Sequence, residues 1–96
     1  MHAVVRTYSG KGAKELVDVL EKHKADVEKL IRGVRGFVSY SLARTAEGGF
    51  SVSVYQDKAG ADESVQKARA WIQENAAGTG ASPPKISEGS LIVHLK

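Results

Sequence analysis

The chain has 96 residues, of which 42% are apolar and 26% charged, and these values predict a single globular domain, residues 1–96. It has no cysteine, which excludes disulfides and is typical of a reducing compartment, so we predict a cytoplasmic protein. No apolar stretch approaches the roughly 18 residues of a membrane helix, and the net charge of +3 comes from lysines and arginines scattered among acids. We therefore predict neither a membrane nor a nucleic-acid partner.

The first segment alternates through β-branched residues, with Ala3, Val5 and Thr7 on one side, and predicts a strand. Two glycines follow in the run YSGKGAKEL. They lack the G-x-x-x-x-G-K-[ST] spacing of a phosphate-binding loop, so we interpret Gly10 and Gly12 as a turn. The apolar spacing then changes to three and four residues and predicts one continuous helix that ends at Gly33. Its apolar stripe comprises Ala13, Leu16, Val17, Leu20, Val27, Leu30 and Ile31.

The middle of the chain predicts a hairpin and a second helix. Two alternating runs, 36–43 and 50–55, flank Glu47-Gly48-Gly49, which is a hairpin pattern. Asp62 or Ser64 is the predicted N-cap of the second helix. The predicted inner positions of that helix are Ala61, Val65, Ala68, Ile72 and Ala76.

The last part of the chain predicts a loop and a strand. Glycines and prolines at 78–84 end the helical pattern and predict a loop, which we expect to be mobile. The apolar run LIVHL at 91–95 predicts the final strand.

The resulting order βαββαβ predicts a ferredoxin-like α+β fold, in which both helices cover one face of a four-stranded antiparallel sheet. Alternation places apolar side chains on both faces of the strands, and a large exposed apolar patch is unusual for a monomer. We therefore predict a homodimer that packs sheet against sheet. One set of faces carries Val5, Val38, Leu42, Val52, Val54, Leu91, Val93 and Leu95, and the opposite set carries Val4, Phe37, Tyr55 and Ile92.

Four segments carry a family pattern: Gly36-Phe37 with Ser39-Tyr40, VSVYQD at 52–57, Gly60-Ala61 with Glu63-Ser64, and AWI at 70–72. Together they resemble the antibiotic biosynthesis monooxygenase-like branch of the dimeric α/β-barrel superfamily, over nearly the whole chain. The resemblance implies a homodimer whose two sheets form a barrel, with a small apolar pocket between sheet and helices in each subunit. Members of that superfamily oxidise aromatic polyketides without a cofactor, degrade haem, or have no assigned activity.

The resemblance also bears on haem. Haem-degrading members use an asparagine near the first strand and a histidine late on the second helix. This chain has Thr7 and Tyr8 near the first position and no histidine between Trp71 and the following loop. We therefore expect no haem chemistry and no cofactor.

Five residues are candidates for a site. Trp71 stands where some members place a pocket-lining tryptophan, although core packing is an equal alternative. Arg6, Tyr40 and Tyr55 lie in strands, where their polar ends would either satisfy one another or orient a ligand. His23 lies on the apolar stripe of the first helix. It is predicted to be a hydrogen-bonded residue at the core edge or, at the pocket rim, a proton acceptor.

Two functions stay open. The first is a cofactor-independent monooxygenase that acts on a small aromatic or apolar molecule, and the second is a non-catalytic dimeric module for ligand binding or interaction. The histidines lack the spacing of a metal site, so we predict no metal. RNA binding is disfavoured because Val5-Arg6 and Val52, at the centres of two predicted strands, offer no aromatic ring for base stacking.

Overall fold

A computed structural model describes residues 1–95. The chain runs through β1 (His2–Tyr8), α1 (Ala13–Lys22), α2 (Lys24–Arg32), β2 (Phe37–Thr45), β3 (Gly48–Tyr55), α3 (Lys58–Asn75), a short 3₁₀ helix (Ala77–Thr79) and β4 (Lys85–Ser90). The strands form one antiparallel sheet in the order β2-β3-β1-β4. This is the ferredoxin-like α+β fold, as the sequence predicts. Among residues 1–95, no helix is both long and apolar enough to cross a bilayer.

The first helix is interrupted at His23, so the prediction of one continuous helix up to Gly33 was wrong in this detail. The ψ angle of His23 is 28°, while the hydrogen bonds continue across the break. The His23 amide donates to the Val19 carbonyl at 3.0 Å, and the Val27 amide donates to the His23 carbonyl at 3.0 Å. The buried side chains of Leu20 and Val27 therefore still share one stripe.

The third helix begins earlier than predicted. Asp57, and neither Asp62 nor Ser64, is its N-cap, and the Asp57 side chain accepts a hydrogen bond from the Gly60 amide at 3.0 Å. Gly60 allows this first turn because a Cβ there would lie 2.7 Å from the Arg35 carbonyl oxygen. Ser64 is consequently an inner residue of α3 and is fully buried.

The final strand is β4, and the prediction of a strand at 91–95 was wrong. β4 pairs with β1, and its last pair joins Ser90 to His2 at the start of that strand. The Leu91 amide still donates to the Met1 carbonyl at 2.9 Å. The apolar segment 91–95 lies outside the sheet, with Ile92 97% and Leu95 89% exposed.

The faces of the two central strands are divided in an unusual way. Val4 and Tyr8 of β1 and Tyr55 of β3 join the core beneath the helices, and the pairing register places Ser51 and Ser53 on that same face. Val52 and Val54 therefore point away from the helices. Serine faces the core and valine faces outward, which is the reverse of the usual arrangement. The outward face of β1 and β3 consists of Ala3, Val5, Thr7, Phe50, Val52 and Val54.

A register irregularity in β2 changes one predicted face. The pairing shifts between Phe37 and Ser39, which is the signature of a β-bulge. Simple alternation would place Leu42 opposite to Phe37, but the extra residue brings Tyr40 and Leu42 to the helix face with Phe37. Leu42 accordingly packs against the core, and its predicted place with the outward valines was wrong.

The glycines of the first turn have a structural role. Gly10 and Gly12 have φ angles of 84° and 79°, a region that favours glycine. A Cβ on Gly12 would lie 2.6 Å from the Thr79 carbonyl oxygen and 2.7 Å from the Ala81 amide, whereas a Cβ on Gly10 would meet nothing within 4 Å. Gly12 therefore allows the loop after α3 to pack directly onto the start of α1.

This difference predicts the effect of two matched substitutions. Gly10→Ala should cost about 1–2 kcal/mol, because only the left-handed backbone is penalised. Gly12→Ala should cost roughly 1–3 kcal/mol more, because the backbone at 79–81 must also move. Urea unfolding of both variants measures the difference. Equal losses would show that the contact between Gly12 and the loop adds nothing to stability.

Candidate functional site

A cavity of about 260 Å³ lies between α3, the segment after it and the helix-facing side of the sheet. We call it the α3 cavity. Its wall is mainly apolar, and its polar lining includes Arg6 from β1, Arg69 from α3 and Thr79. Apolar lining residues include Leu16, Val65, Ala68, Ile72, Pro84 and Ile86.

The loop after α3 forms one wall of the α3 cavity. Thr79, Ala81 and Pro83 line it, and the Thr79 hydroxyl donates to the Ala76 carbonyl at 2.7 Å. The same loop is packed against Gly12. Gly12, a turn residue in the sequence interpretation, thus allows this wall of the cavity to pack against the start of α1.

Arg6 is the buried charged group of the α3 cavity. Only 2% of it is exposed, and its guanidinium donates to two hydroxyls. Nη1 donates to Ser53 Oγ at 3.3 Å, and Nη2 donates to Ser64 Oγ at 3.2 Å. Ser64 can accept that bond because its own proton is donated to the Ala61 carbonyl at 2.7 Å. Both partners are neutral.

A second, much smaller cavity lies beside Arg6. Its volume is about 20 Å³, which is enough for about one water molecule, and its wall includes Tyr8, Tyr40 and Trp71. Arg6, Ala68 and Ile72 line both this inner cavity and the α3 cavity. The two spaces are therefore neighbours that share these three side chains.

Two tyrosines of this region keep their protons. Burial raises the pKa of Tyr40 from its usual 10.0 to about 12, and Arg6 opposes that rise only in part. Burial also raises the pKa of Tyr8, again against the effect of Arg6. Both phenols lie near Ser51, whose buried Oγ makes no hydrogen bond of normal geometry with the described residues. Neutral phenols donate hydrogen bonds, so Tyr8 and Tyr40 are donors and not bases at neutral pH.

A third space is a groove of about 320 Å³ between α2 and β2. It adjoins the inner cavity, since Leu20, Val27 and Tyr40 line both spaces. The groove carries mixed charge, from Lys24, Glu28 and Arg32, and the Arg32 guanidinium lies 5.5 Å from the centre of the Phe37 ring. It lacks a buried polar group that points to one ligand chemistry.

The structure brings three of the five predicted site residues together. Arg6, Tyr40 and Trp71 all line the inner cavity. Tyr55 is completely buried, packs edge-on against Phe37 and lines none of the three spaces. Its hydroxyl has no hydrogen-bond partner among residues 1–95.

His23 lies elsewhere than at a cavity rim. Its side chain is 41% exposed, with Nδ1 3.8 Å from an Asp26 carboxylate oxygen. Its ring packs edge-on against Trp71, with ring centres 5.9 Å apart, but it lines none of the three spaces. Contact with the inner cavity therefore passes through Trp71, and the catalytic role of His23 stays a prediction.

The sequence interpretation missed the hydroxyl groups of the site. Ser53 and Ser64 hold Arg6, Ser51 lies near both tyrosine hydroxyls, and Tyr8 lines the inner cavity. One signal was present: Arg6 shares its β1 face with Val4 and Tyr8, and a charge on a core face needs polar partners. Among residues 1–95, no group of three possible metal ligands occurs, and the predicted absence of a metal is still a prediction.

Solved structures with the same architecture include monooxygenases. The monooxygenase from the gene ActVA-Orf6 of Streptomyces coelicolor, in complex with nanaomycin D, has a TM-score of 0.64 and 19% identity, over 99% of this chain and 89% of that one. SnoaB, a cofactor-independent oxygenase from Streptomyces nogalater, has a TM-score of 0.67 and 16% identity, over 98% and 95%. The chain has the fold of the antibiotic biosynthesis monooxygenase-like proteins.

The same fold also occurs in a haem-degrading protein. MhuD from Mycobacterium tuberculosis, with two haems bound in its active site, has a TM-score of 0.65 and 17% identity, over 99% of this chain and 98% of that one. No family model matches the chain, and no curated protein matches it by sequence. The resemblance seen in the sequence is therefore confirmed for the fold, and the expected absence of haem chemistry stays a prediction.

The raised pKa of Tyr40 predicts a loss of stability in alkali. Between its unfolded pKa of 10.0 and its folded pKa of about 12, the unfolded chain has released the proton that the folded protein retains. The free energy of unfolding therefore falls as pH rises through this window, by on the order of 1–2 kcal/mol from Tyr40. In Tyr40→Phe the free energy of unfolding should fall less over the same pH range. The raised pKa of Tyr8 should cause part of the remaining fall. Urea unfolding at pH 8 and above pH 10 measures this, and equal falls in both proteins would contradict it.

Proposed function

We propose that the chain binds a small aromatic or apolar molecule in the α3 cavity and oxidises it with molecular oxygen, without a cofactor. The supporting observation is an apolar cavity that ends on a buried arginine, with neutral phenols beside it. Apolar walls with a few converging polar groups are typical of small-molecule sites. The cofactor-independent oxygenase among the proteins of this fold supports the same reaction class.

The proposed chemistry is oxidation of a phenol to a quinone. A phenol that loses its proton becomes a phenolate with carbanion character on the ring, and this carbon attacks oxygen. The resulting hydroperoxide then eliminates water. One oxygen atom enters the ring, the other leaves as water, and the phenol supplies the two hydrogens of that water. Arg6, which lines both cavities, would stabilise the phenolate, and a phenolate oxygen that reaches the inner cavity would accept hydrogen bonds from the neutral hydroxyls of Tyr8 and Tyr40.

The proton acceptor decides between the two functions considered from the sequence. Among the described residues, no histidine or carboxylate lines the α3 cavity, an observation that favours a non-catalytic binding module as the second candidate. His23, whose ring contacts Trp71 but lines neither cavity, remains the proposed acceptor for the oxygenase. Oxygen uptake with bound phenols, compared between the native protein and His23→Ala, separates the two.

We also propose that the protein is a homodimer that packs outward sheet face against outward sheet face. Val5 and Val52 are only half-buried on that face, and Phe50 is 38% exposed. The segment 91–95 adds further exposed apolar side chains at the end of β4. A second copy would remove this surface from water, with a free-energy gain of about 25 cal/mol for each Å² buried.

Two alanines on α3 give a matched test of ligand binding. Ala68 lines both cavities, whereas Ala70 is exposed on the same helix. Ala68→Leu should weaken binding of a bicyclic phenol such as 2-naphthol at least tenfold, because the added methyl groups occupy the ligand's space. Ala70→Leu should leave binding unchanged. Quenching of Trp71, the single tryptophan of the chain, measures both affinities. Binding that survives Ala68→Leu would place the ligand outside the α3 cavity.

The dimer has its own test. The native protein at low micromolar concentration should scatter light as twice the mass of one chain, and Val52→Lys should give a monomer because it buries a charge in the outward face. Glu47→Lys, in the exposed hairpin turn, is the control and should remain dimeric. A native monomer, or a Val52→Lys dimer, would refute packing through this face.

A further inference from the structure

We infer that the α3 cavity selects ligands that carry an anionic oxygen group, a carboxylate or a phenolate, and that Arg6 is the residue that binds this group. The inference rests on the proposed binding function of the cavity. It adds to that function the charge of the ligand and the residue that recognises it.

The first step is the missing countercharge of Arg6. A guanidinium cannot lose its proton in a protein, and a buried charge without an opposite charge is expensive. Arg6 is 2% exposed, and within residues 1–95 it forms no salt bridge with Asp or Glu. Its two bonded partners, Ser53 and Ser64, supply hydrogen bonds but no negative charge.

The second step is that nearby carboxylates are engaged elsewhere. Glu88 lies on β4 beside β1, but it accepts a bond from His2 at 3.0 Å and lies 3.7 Å from Lys58. Asp62 near the start of α3 pairs with the same lysine at 3.0 Å. The α3 cavity adds Arg69 to its wall and, within the described chain, no acidic residue. Its interior is therefore electropositive.

The third step concerns the side of the sheet from which an anion can reach Arg6. Arg6 is on the helix-facing side of the sheet, so a second copy on the outward face cannot supply its counterion. The cavity is the space through which an anion can approach. Only two of the five guanidinium N–H groups donate to the described residues, so donors remain for a ligand. The Ser51 hydroxyl, near Tyr8 and Tyr40, also has no partner of normal geometry in the described chain.

The size of the cavity limits the rest of the ligand. Its volume of about 260 Å³ is below the roughly 300–1,000 Å³ of pockets for drug-sized molecules. A one- or two-ring carboxylic acid or phenol fits this description, with its ring against Val65, Ala68 and Ile72. Recognition by charge would also favour the ionised form of a phenol, which is the form that reacts with oxygen.

The test compares a charged ligand with a neutral one of the same shape. We expect 2-naphthoate to quench Trp71 fluorescence with at least tenfold higher affinity than 2-naphthamide. Arg6→Met should remove that preference while 2-naphthamide still binds. The control is Arg35→Met, which makes the same charge change at an exposed position and should keep the native preference.

The outcomes are distinguishable. If the native protein binds naphthoate and naphthamide equally, the role of Arg6 is refuted while the cavity remains a binding site. If neither compound binds, the proposed binding function fails and this inference fails with it. A preference that persists in Arg6→Met would assign recognition to another cation.

A second measurement avoids the variant, in case Arg6→Met does not fold. A nitrophenol changes colour on ionisation, so its pKa can be read while it is bound to the native protein. The buried guanidinium should lower that pKa by roughly one unit or more. The groups that face Arg6, namely the neutral phenols of Tyr8 and Tyr40 and the hydroxyls of Ser53 and Ser64, do not titrate near neutral pH. An unchanged or raised pKa of the bound nitrophenol would refute the inference.

Discussion

The burial of the Arg6 guanidinium is the constraint on which the rest of the site depends. A charge on the core face of β1 requires hydrogen-bond acceptors around it, and these come from Ser53 on the neighbouring strand and Ser64 on the helix above. Serines on the inner face of β3 leave Val52 and Val54 on the outer face. The alternation of serine and valine along β3 therefore has two effects. It places a hydrogen-bond acceptor for Arg6 on the inner face, and it places the apolar side chains of the proposed dimer interface on the outer face.

The cavity beside Arg6 exists because alanine and glycine occupy positions where a larger side chain would fill the space or push the loop away. Ala68 on α3 and Ala76, the residue after its last turn, leave volume between helix and sheet, and Gly12 lets the loop after α3 close one side of it. A cavity and an unpaired buried charge both lower stability. In a chain of 96 residues, with a modest core, such costs are large compared with a typical net stability. Their occurrence at one place favours a binding role for that place over a purely structural one.

The sequence predicted the architecture because its strongest signals are periodic. The stripe from Leu16 to Ile31 and the alternating strands were sufficient for the βαββαβ order and the fold. The errors in the predicted strands have physical causes, and these causes depend on how a segment pairs with other parts of the chain. LIVHL has the composition of a strand, but the pairing of β4 with β1 is already completed by the residues before it, 85–90. Leu42 changed face because of a bulge, which depends on the partner strand. In the site, Arg6, Tyr40 and Trp71 were identifiable by residue type, whereas Ser53 and Ser64 were not, since their role arises only where strand and helix meet.

The arrangement around Arg6 also relates the two candidate functions to each other. A cation and neutral phenols that stabilise a bound phenolate would hold the reactive form of such a ligand whether or not it is then oxidised. Binding and oxygenation therefore need the same arginine, and they differ in what removes the proton and in whether oxygen reaches the ring. If Arg6 lowers the pKa of the bound phenol, the proton step needs only a weak acceptor, and His23 is the proposed one. A site with a buried cation and no lining base is consistent with that division of roles: the protein stabilises the anion, and the ionised substrate itself supplies the electrons for oxygen.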